Sequence, residues 1–303
     1  MLQFTKKNHK NFGRVCLHIT DRGTAIAVSK LVGASLQLQH CAYFNSFDLS
    51  DNPELIANFI QQNNLAGANC SLILCSSEYQ LLLTEAPSVE ADEMCQALWW
   101  KVKDLVGFDV ENAQIDFIDL PEDSNRQQNR RVYAVIADKA KVRAKIALAE
   151  ALGLNPVTVE IPETALLHLI ADLCSDLVGT SILYLDPEQS LLLLMSEGQM
   201  YLSRTLQYNY LDRMEAVVLD LQRSMDYYES QLGKSPCLKV LLLPQQADDS
   251  AIMQTLRSNM GAEISSVDLN ALITADTELN IELQQHCFIA VCGALRSNQK
   301  AKK

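Results

Sequence analysis

The sequence predicts an α/β fold of two lobes, built by using one sheet-plus-helix unit twice. Two observations carry that expectation. The stretches Arg14 to Phe44 and Ser181 to Leu206 show the same succession of three short apolar strands separated by polar turns. Each is followed by a helical pattern and then by another short apolar strand. An internal repeat of this kind decides the architecture, because each copy must bury its sheet against helices of its own.

In the first copy, Arg14 to Ile19 is a strand, Asp21-Arg22-Gly23 a turn, and Ala25 to Val28 a second strand. Gly33 makes the next turn, before the alternating Leu36, Leu38, His40 and Ala42. Such runs between Gly and Asp turns read as an antiparallel meander. In the second copy the strands are Ile182 to Leu185, Leu191 to Met195 and Met200 to Leu206, with turns at Asp186-Pro187-Glu188-Gln189 and Glu197-Gly198-Gln199. After the first meander, Pro53 opens a helix whose apolar stripe is Leu55, Ile56, Phe59 and Ile60. Leu72 to Cys75 is then a buried strand of the parallel type.

From Tyr79 to about Leu173 the pattern changes to an α/β insert. Gln80 to Thr84 reads as a strand, and Pro87-Ser88 with Glu90, Asp92 and Glu93 opens a helix with its acidic residues at the favourable end. Ile115 to Ile118 and Val132 to Ile136 form paired strands across the polar loop Pro121 to Arg130, and the helix Lys139 to Leu152 stops at Gly153. In the second half, Asp212 to Leu232 is an amphipathic helix stopping at Gly233, Leu238 to Leu243 a buried strand, Asp248 to Met260 a helix and Glu282 to Leu295 a final helix. No low-complexity linker separates the halves, so the lobes are expected to pack across a cleft.

The chain has 303 residues, 48% of them hydrophobic, which is enough for two cores. Its net charge of -12 excludes a nucleic-acid partner, since binding to phosphate backbones depends on Lys and Arg displacing counterions. The basic start, with Lys6, Lys7, His9 and Lys10, lacks the apolar core of a signal peptide, and no apolar stretch is long enough to span a bilayer. A cytoplasmic location is the expectation. Nine cysteines fall at apolar positions without CxxC or ligand spacing, and read as buried thiols rather than disulfides or a metal site.

Ala151-Leu152-Gly153-Leu154-Asn155-Pro156 with Glu163-Thr164-Ala165-Leu166-Leu167, and the run Leu219 to Tyr228, resemble the PilM family of actin-like type IV pilus assembly proteins. The resemblance extends over nearly the whole chain. It implies actin-like (ribonuclease H-like) lobes of duplicated βββαβα order: a first lobe at 1–173 with an inserted subdomain at about 79–160, and a second at 174–303. It also implies a non-catalytic cytoplasmic scaffold of the pilus assembly platform, peripheral at the inner membrane. The implied partner is the cytoplasmic tail of a PilN-like bitopic inner-membrane protein, with the assembly ATPase engaged indirectly. Two alternatives accompany it. One is an ATP-binding switch with a divergent cleft and Mg²⁺. The other is the cytoplasmic domain of a secretion-system L protein, which ordinarily continues into a transmembrane helix.

Nucleotide-binding members of that family carry Asp-x-Gly loops and a glycine pair, because carboxylates position the metal and glycine admits phosphate to backbone N–H groups. Here His18-Ile19-Thr20, Tyr184-Leu185-Asp186-Pro187 and Leu243-Pro244-Gln245-Gln246 stand in those places. His18, Thr20, Asp186 and Gln245 are therefore the expected remnant of a nucleotide cleft, with no cofactor, no catalytic residue and no metal assigned. Glu163 follows Pro162 at a helix start, where a carboxylate needs no further role. Arg223 and Asp226 read as a solvated helix face. Trp99, Trp100, Phe108 and Phe117 are the candidate partner-binding aromatics. Trp100 falls opposite its helix's apolar face, so it either anchors a partner or is covered by another part of the insert.

Overall fold

The computed structural model describes residues 12–52, 54–107, 112–121 and 130–296. The chain begins with an antiparallel meander of β1 (Phe12–Thr20), β2 (Gly23–Val32) and β3 (Ser35–Asn45). Helices α1 (Ser46–Asp51) and α2 (Leu55–Gln62) lead to β4 (Asn69–Ile73), which runs parallel to β1. The insert follows, with β5 (Tyr79–Glu85), α3 (Met94–Val102), β6 (Ala113–Asp119) and β7 (Arg131–Asp138). Helix α4 (Lys139–Ala151) brings the chain back to β8 (Asn155–Glu160), parallel to β4. The first sheet is thus ordered β3-β2-β1-β4-β8.

Helix α5 (Pro162–Ile170) and a 3-10 turn cross to the second lobe. There β9 (Gly179–Tyr184), β10 (Ser190–Ser196) and β11 (Gln199–Leu206) form the second meander. Then come α6 (Met214–Ser230), β12 (Cys237–Leu243), α7 (Ala251–Asn259), β13 (Glu263–Ser266), α8 (Leu269–Leu272) and α9 (Ile281–Ala294). The second sheet is ordered β11-β10-β9-β12-β13, strand for strand the order of the first. The duplication expected from the sequence is therefore present as topology.

Strands β9 and β10 are buried along their length because both faces of their sheet are covered. Alternate residues of one strand enter different cores. Val15 and Leu17 join the core beneath α2 and α4, whereas Cys16 joins the one beneath α9. Likewise Leu191, Leu193 and Met195 face the central core, while Leu192 and Leu194 face the core containing α6 and α7. Helix α6 ends as its sequence predicts: Gly233 takes φ 65° and its N–H donates to Glu229 O at 3.1 Å, satisfying a last-turn carbonyl.

Three expectations about extent are corrected. The three-stranded sheet of the insert, ordered β5-β7-β6, spans Tyr79 to Asp138 rather than about 79–160. Helix α4 puts Ala149 into the first lobe's core, and β8 completes the first sheet. The acidic stretch Glu90 to Glu93 is irregular, so α3 starts at Met94. Last, α9 packs on β1, β2, β3 and α5. The first lobe is thus completed by residues from the far end of the chain, and a boundary at 173 divides a shared core. All nine cysteines are free, with Cys41, Cys75 and Cys95 only half-buried.

Candidate functional site

The turns after β1 and β9 occupy equivalent places in the two lobes and face each other across the lobe boundary. Between them lies a cavity of about 40 Å³ lined by His18, Thr20, Arg22, Tyr79, Tyr184 and Asp186 among others. Three of the four expected cleft residues are thus brought together. The fourth, Gln245, is not in that wall; its side-chain carbonyl accepts from Nε2 of buried Gln284 on α9 at 3.1 Å. A space of this volume suits a few water molecules, whereas small-molecule sites enclose about 300–1,000 Å³.

Each turn is closed by its own side chains. Thr20 Oγ1 donates to Gly23 O at 3.2 Å. Asp186 Oδ1 accepts from Glu188 N at 2.9 Å and Gln189 N at 3.3 Å, while Asp186 N donates to Ser190 Oγ at 3.1 Å. Burial, with smaller contributions from Lys145 and Arg22, pushes the His18 imidazole down to about 3, so it is neutral near pH 7. Lys145 is itself buried, donates to Ile19 O at 2.9 Å and pairs with Glu78 at 3.1 Å.

Sequence reasoning missed Arg22. It comes from the first turn, and its guanidinium Nη2 donates to Asp186 Oδ2 of the second, with Nε 3.4 Å from Glu188 Oε1. The signal available was a cation in one copy's turn and carboxylates in the other's. Glu163 was also read too simply. It is fully buried and accepts from Tyr79 OH at 2.7 Å, tying the insert to α5, and burial pushes its carboxyl up from the usual range. Glu160 behaves oppositely: burial works against its charge, but His168 and Arg296 outweigh that and bring its pKa below the usual value. Among the described residues no cluster of three or more His, Cys, Asp or Glu is arranged to hold a metal ion. Arg223 and Asp226 are exposed on α6.

A second concavity lies between the insert's sheet and the α4 and β8 side of the first lobe. It is a groove of about 180 Å³ whose apolar wall includes Ile118, Val135, Val142, Val159 and Ile161, with Gln114 and Asp116 at its polar side. It runs beside β6, which among the described residues pairs with β7 alone and so leaves one edge open. Val135 and Ile118 face the groove. On the opposite face of the same sheet, Val132, Ala134 and Ile136 pack with α3. This alternation separates the expected aromatics. Phe117 packs on the α3 side and borders the groove. Trp99 packs into the α3-side core, and Trp100 is 60% exposed on the same helix with Lys103 Nζ 5.0 Å from its ring. The expected single aromatic surface is therefore not formed, because α3 and the groove occupy opposite faces. Phe108 lies outside the described residues.

No protein-family profile matches the sequence, and no curated protein does. Solved structures do. A "PilM-PilN type IV pilus biogenesis complex" chain aligns with a TM-score of 0.74 and 18% identity over 95% of this chain and 98% of that one. A Bacteroides thetaiotaomicron protein described as having an actin-like ATPase fold aligns at 0.53 with 13% identity, covering 94% and 98%. The fold is that of the actin-like ATPases. The cytoplasmic domain of EpsL, an inner-membrane component of the Vibrio cholerae type II secretion system, aligns at 0.52 with 12% identity, covering 94% of each chain. At these identities the likeness establishes the actin-like fold. Among the described residues no helix is long and apolar enough to cross a membrane.

Proposed function

We propose that this actin-like protein is a non-catalytic scaffold of a type IV pilus assembly platform that captures the cytoplasmic tail of a PilN-like, membrane-anchored protein. The observation that carries this reading is the open edge of β6 standing beside an apolar groove. An extended peptide gains main-chain hydrogen bonds from a strand edge and specificity from side-chain pockets next to it. The alignment over nearly the full length with a PilM–PilN complex chain supports the choice of partner. The resemblance over nearly the whole chain leads us to propose the mannose-sensitive haemagglutinin (MSHA) pilus in particular. In this reading the protein is cytoplasmic, sits at the inner membrane through its partner, and reaches the assembly ATPase indirectly.

The test is fluorescence anisotropy with a labelled peptide of the PilN-like tail. Ile118→Asp and Val142→Asp, both half-buried in the groove wall, should each weaken capture by about tenfold or more, as for loss of an anchor of 1–2 kcal/mol. Unchanged affinity in both variants would remove the groove from the proposal. The second reading, an ATP-dependent switch, draws on the actin-like fold, although the space between the turns suits only a few water molecules. Isothermal titration with Mg-ATP separates the two. The scaffold reading expects no heat, and a dissociation constant below about 1 mM would overturn it.

A further inference from the structure

The two hairpin turns that face each other across the lobe boundary carry opposite charges, and a single side chain joins them. Arg22 belongs to the β1–β2 turn; Asp186 and Glu188 belong to the β9–β10 turn, 164 residues away in the case of Asp186. We infer that Arg22 is an interlobe latch, a cation of the first lobe that engages the carboxylates of the second and keeps the mouth of the cleft shut. The latch is preorganised at both ends. The Arg22 carbonyl accepts from Tyr43 OH at 2.9 Å and from Ser46 N at 2.8 Å, which fixes the backbone that carries the guanidinium. The Tyr43 ring in turn stacks on His286 of α9, with centroids 4.0 Å apart. Asp186 uses separate oxygens for separate tasks: Oδ1 closes its own turn, and Oδ2 takes Arg22. The pair is partly screened from solvent, with the Arg22 side chain 33% and that of Asp186 17% exposed. It is therefore stronger than a surface pair yet still within reach of salt. With the latch engaged, an anion entering between the turns would compete with Asp186 and Glu188 for Arg22.

Hydrogen–deuterium exchange of the full chain tests it. Arg22→Gln should speed exchange in residues 185–190 by roughly fivefold, the upper end for losing a partly screened pair. Raising NaCl to about 1 M, where the screening length falls to roughly 3 Å, should do the same to the wild-type protein and little further to the variant. Arg22→Lys should retain most of the protection. Asp186→Asn keeps an oxygen for the Glu188 and Gln189 amides but removes the charge, so it should reproduce Arg22→Gln. Wild-type exchange in both neutral variants, or salt accelerating wild type and Arg22→Gln alike, overturns the latch. Acceleration spread evenly over the molecule also overturns it, because a latch acts at the cleft.

Discussion

Gly293, in the last turn of α9, tests how closely that helix lies on the first sheet. Replacing it with alanine would add a Cβ 2.6 Å from Cys16 Sγ and 2.9 Å from Ile73 Cδ1. Both side chains are fully buried, on β1 and β4, so neither can swing aside into free space. Two effects compete. Alanine gains at most about 1 kcal/mol over glycine in a helix, less near its end. Overfilling a packed core costs about 1–3 kcal/mol. The clash therefore wins, with a net loss of about 1–2 kcal/mol, and at roughly 2–4 °C per kcal/mol for a chain of this size the melting temperature should fall by about 2–8 °C. Cys16→Ala removes the nearest atom. Thermal melts of the two single variants and the double variant should then show a favourable coupling of about 1 kcal/mol or more between positions 16 and 293. A Gly293→Ala protein that melts higher than wild type, or strictly additive single effects, would show that the helix has room and refute the reasoning.

Trp100→Ala should leave the melting temperature within a few degrees of wild type, because the ring is largely exposed; it should also leave affinity for a groove-bound tail peptide within about twofold, and a larger loss in anisotropy would move the partner surface to α3. His18 gives a pH dependence of definite sign. The unfolded imidazole takes up a proton near pH 6.5 while the folded one resists until about 3, so this group's stabilisation is present above pH 6.5 and is lost as pH falls toward 3. Urea midpoints between pH 7 and 4.5 should decline more steeply for wild type than for His18→Gln, and equal slopes would contradict the lowered pKa of that ring. Tyr79→Phe should lower stability by about 1–3 kcal/mol, since buried Glu163 loses its donor, whereas Tyr79→Phe with Glu163→Leu should recover most of it. Calorimetry of both proteins checks this, and a double variant no better than the single one would count against it.

Most of the architecture was legible because it depends on short-range pattern. Alternating and continuous apolar runs marked the strands of both meanders, and Gly153 and Gly233 marked helix ends by allowing positive φ. What stayed hidden depends on partners distant in sequence. Nothing in the apolar residues of α9 says that they cover the first lobe's sheet rather than the second's. Helix α4 looks equally suited to the insert or to the first lobe until β8 is seen pairing with β4. The short helix α1 was missed because it spans Ser46–Asp51 with Asn45 as its cap, too few residues for a period to appear. The site shows the same division. His18, Thr20 and Asp186 were found because the family resemblance puts its nucleotide loops after the first strand of each meander. Arg22 escaped because a charged turn residue is ordinary until its partner 164 positions away comes into view. Trp100 was correctly read as outward-facing from helical geometry, yet which sheet face α3 covers was beyond local pattern.

The return of α9 to the first lobe has a consequence during synthesis. Cys287, Phe288, Val291 and Cys292 fill the core over β1 to β4, so that face of the first sheet stays uncovered until residues near 294 are made. At about 5–20 residues per second, the interval from the crossing at Cys174 to the end of α9 lasts on the order of 6–24 seconds. Through that interval the growing chain carries a sheet with one greasy side open to the cell. The core beneath α9 must then close last, after those of α2, α3 and α6, and shortening the chain within α9 should strand it as an insoluble nascent product.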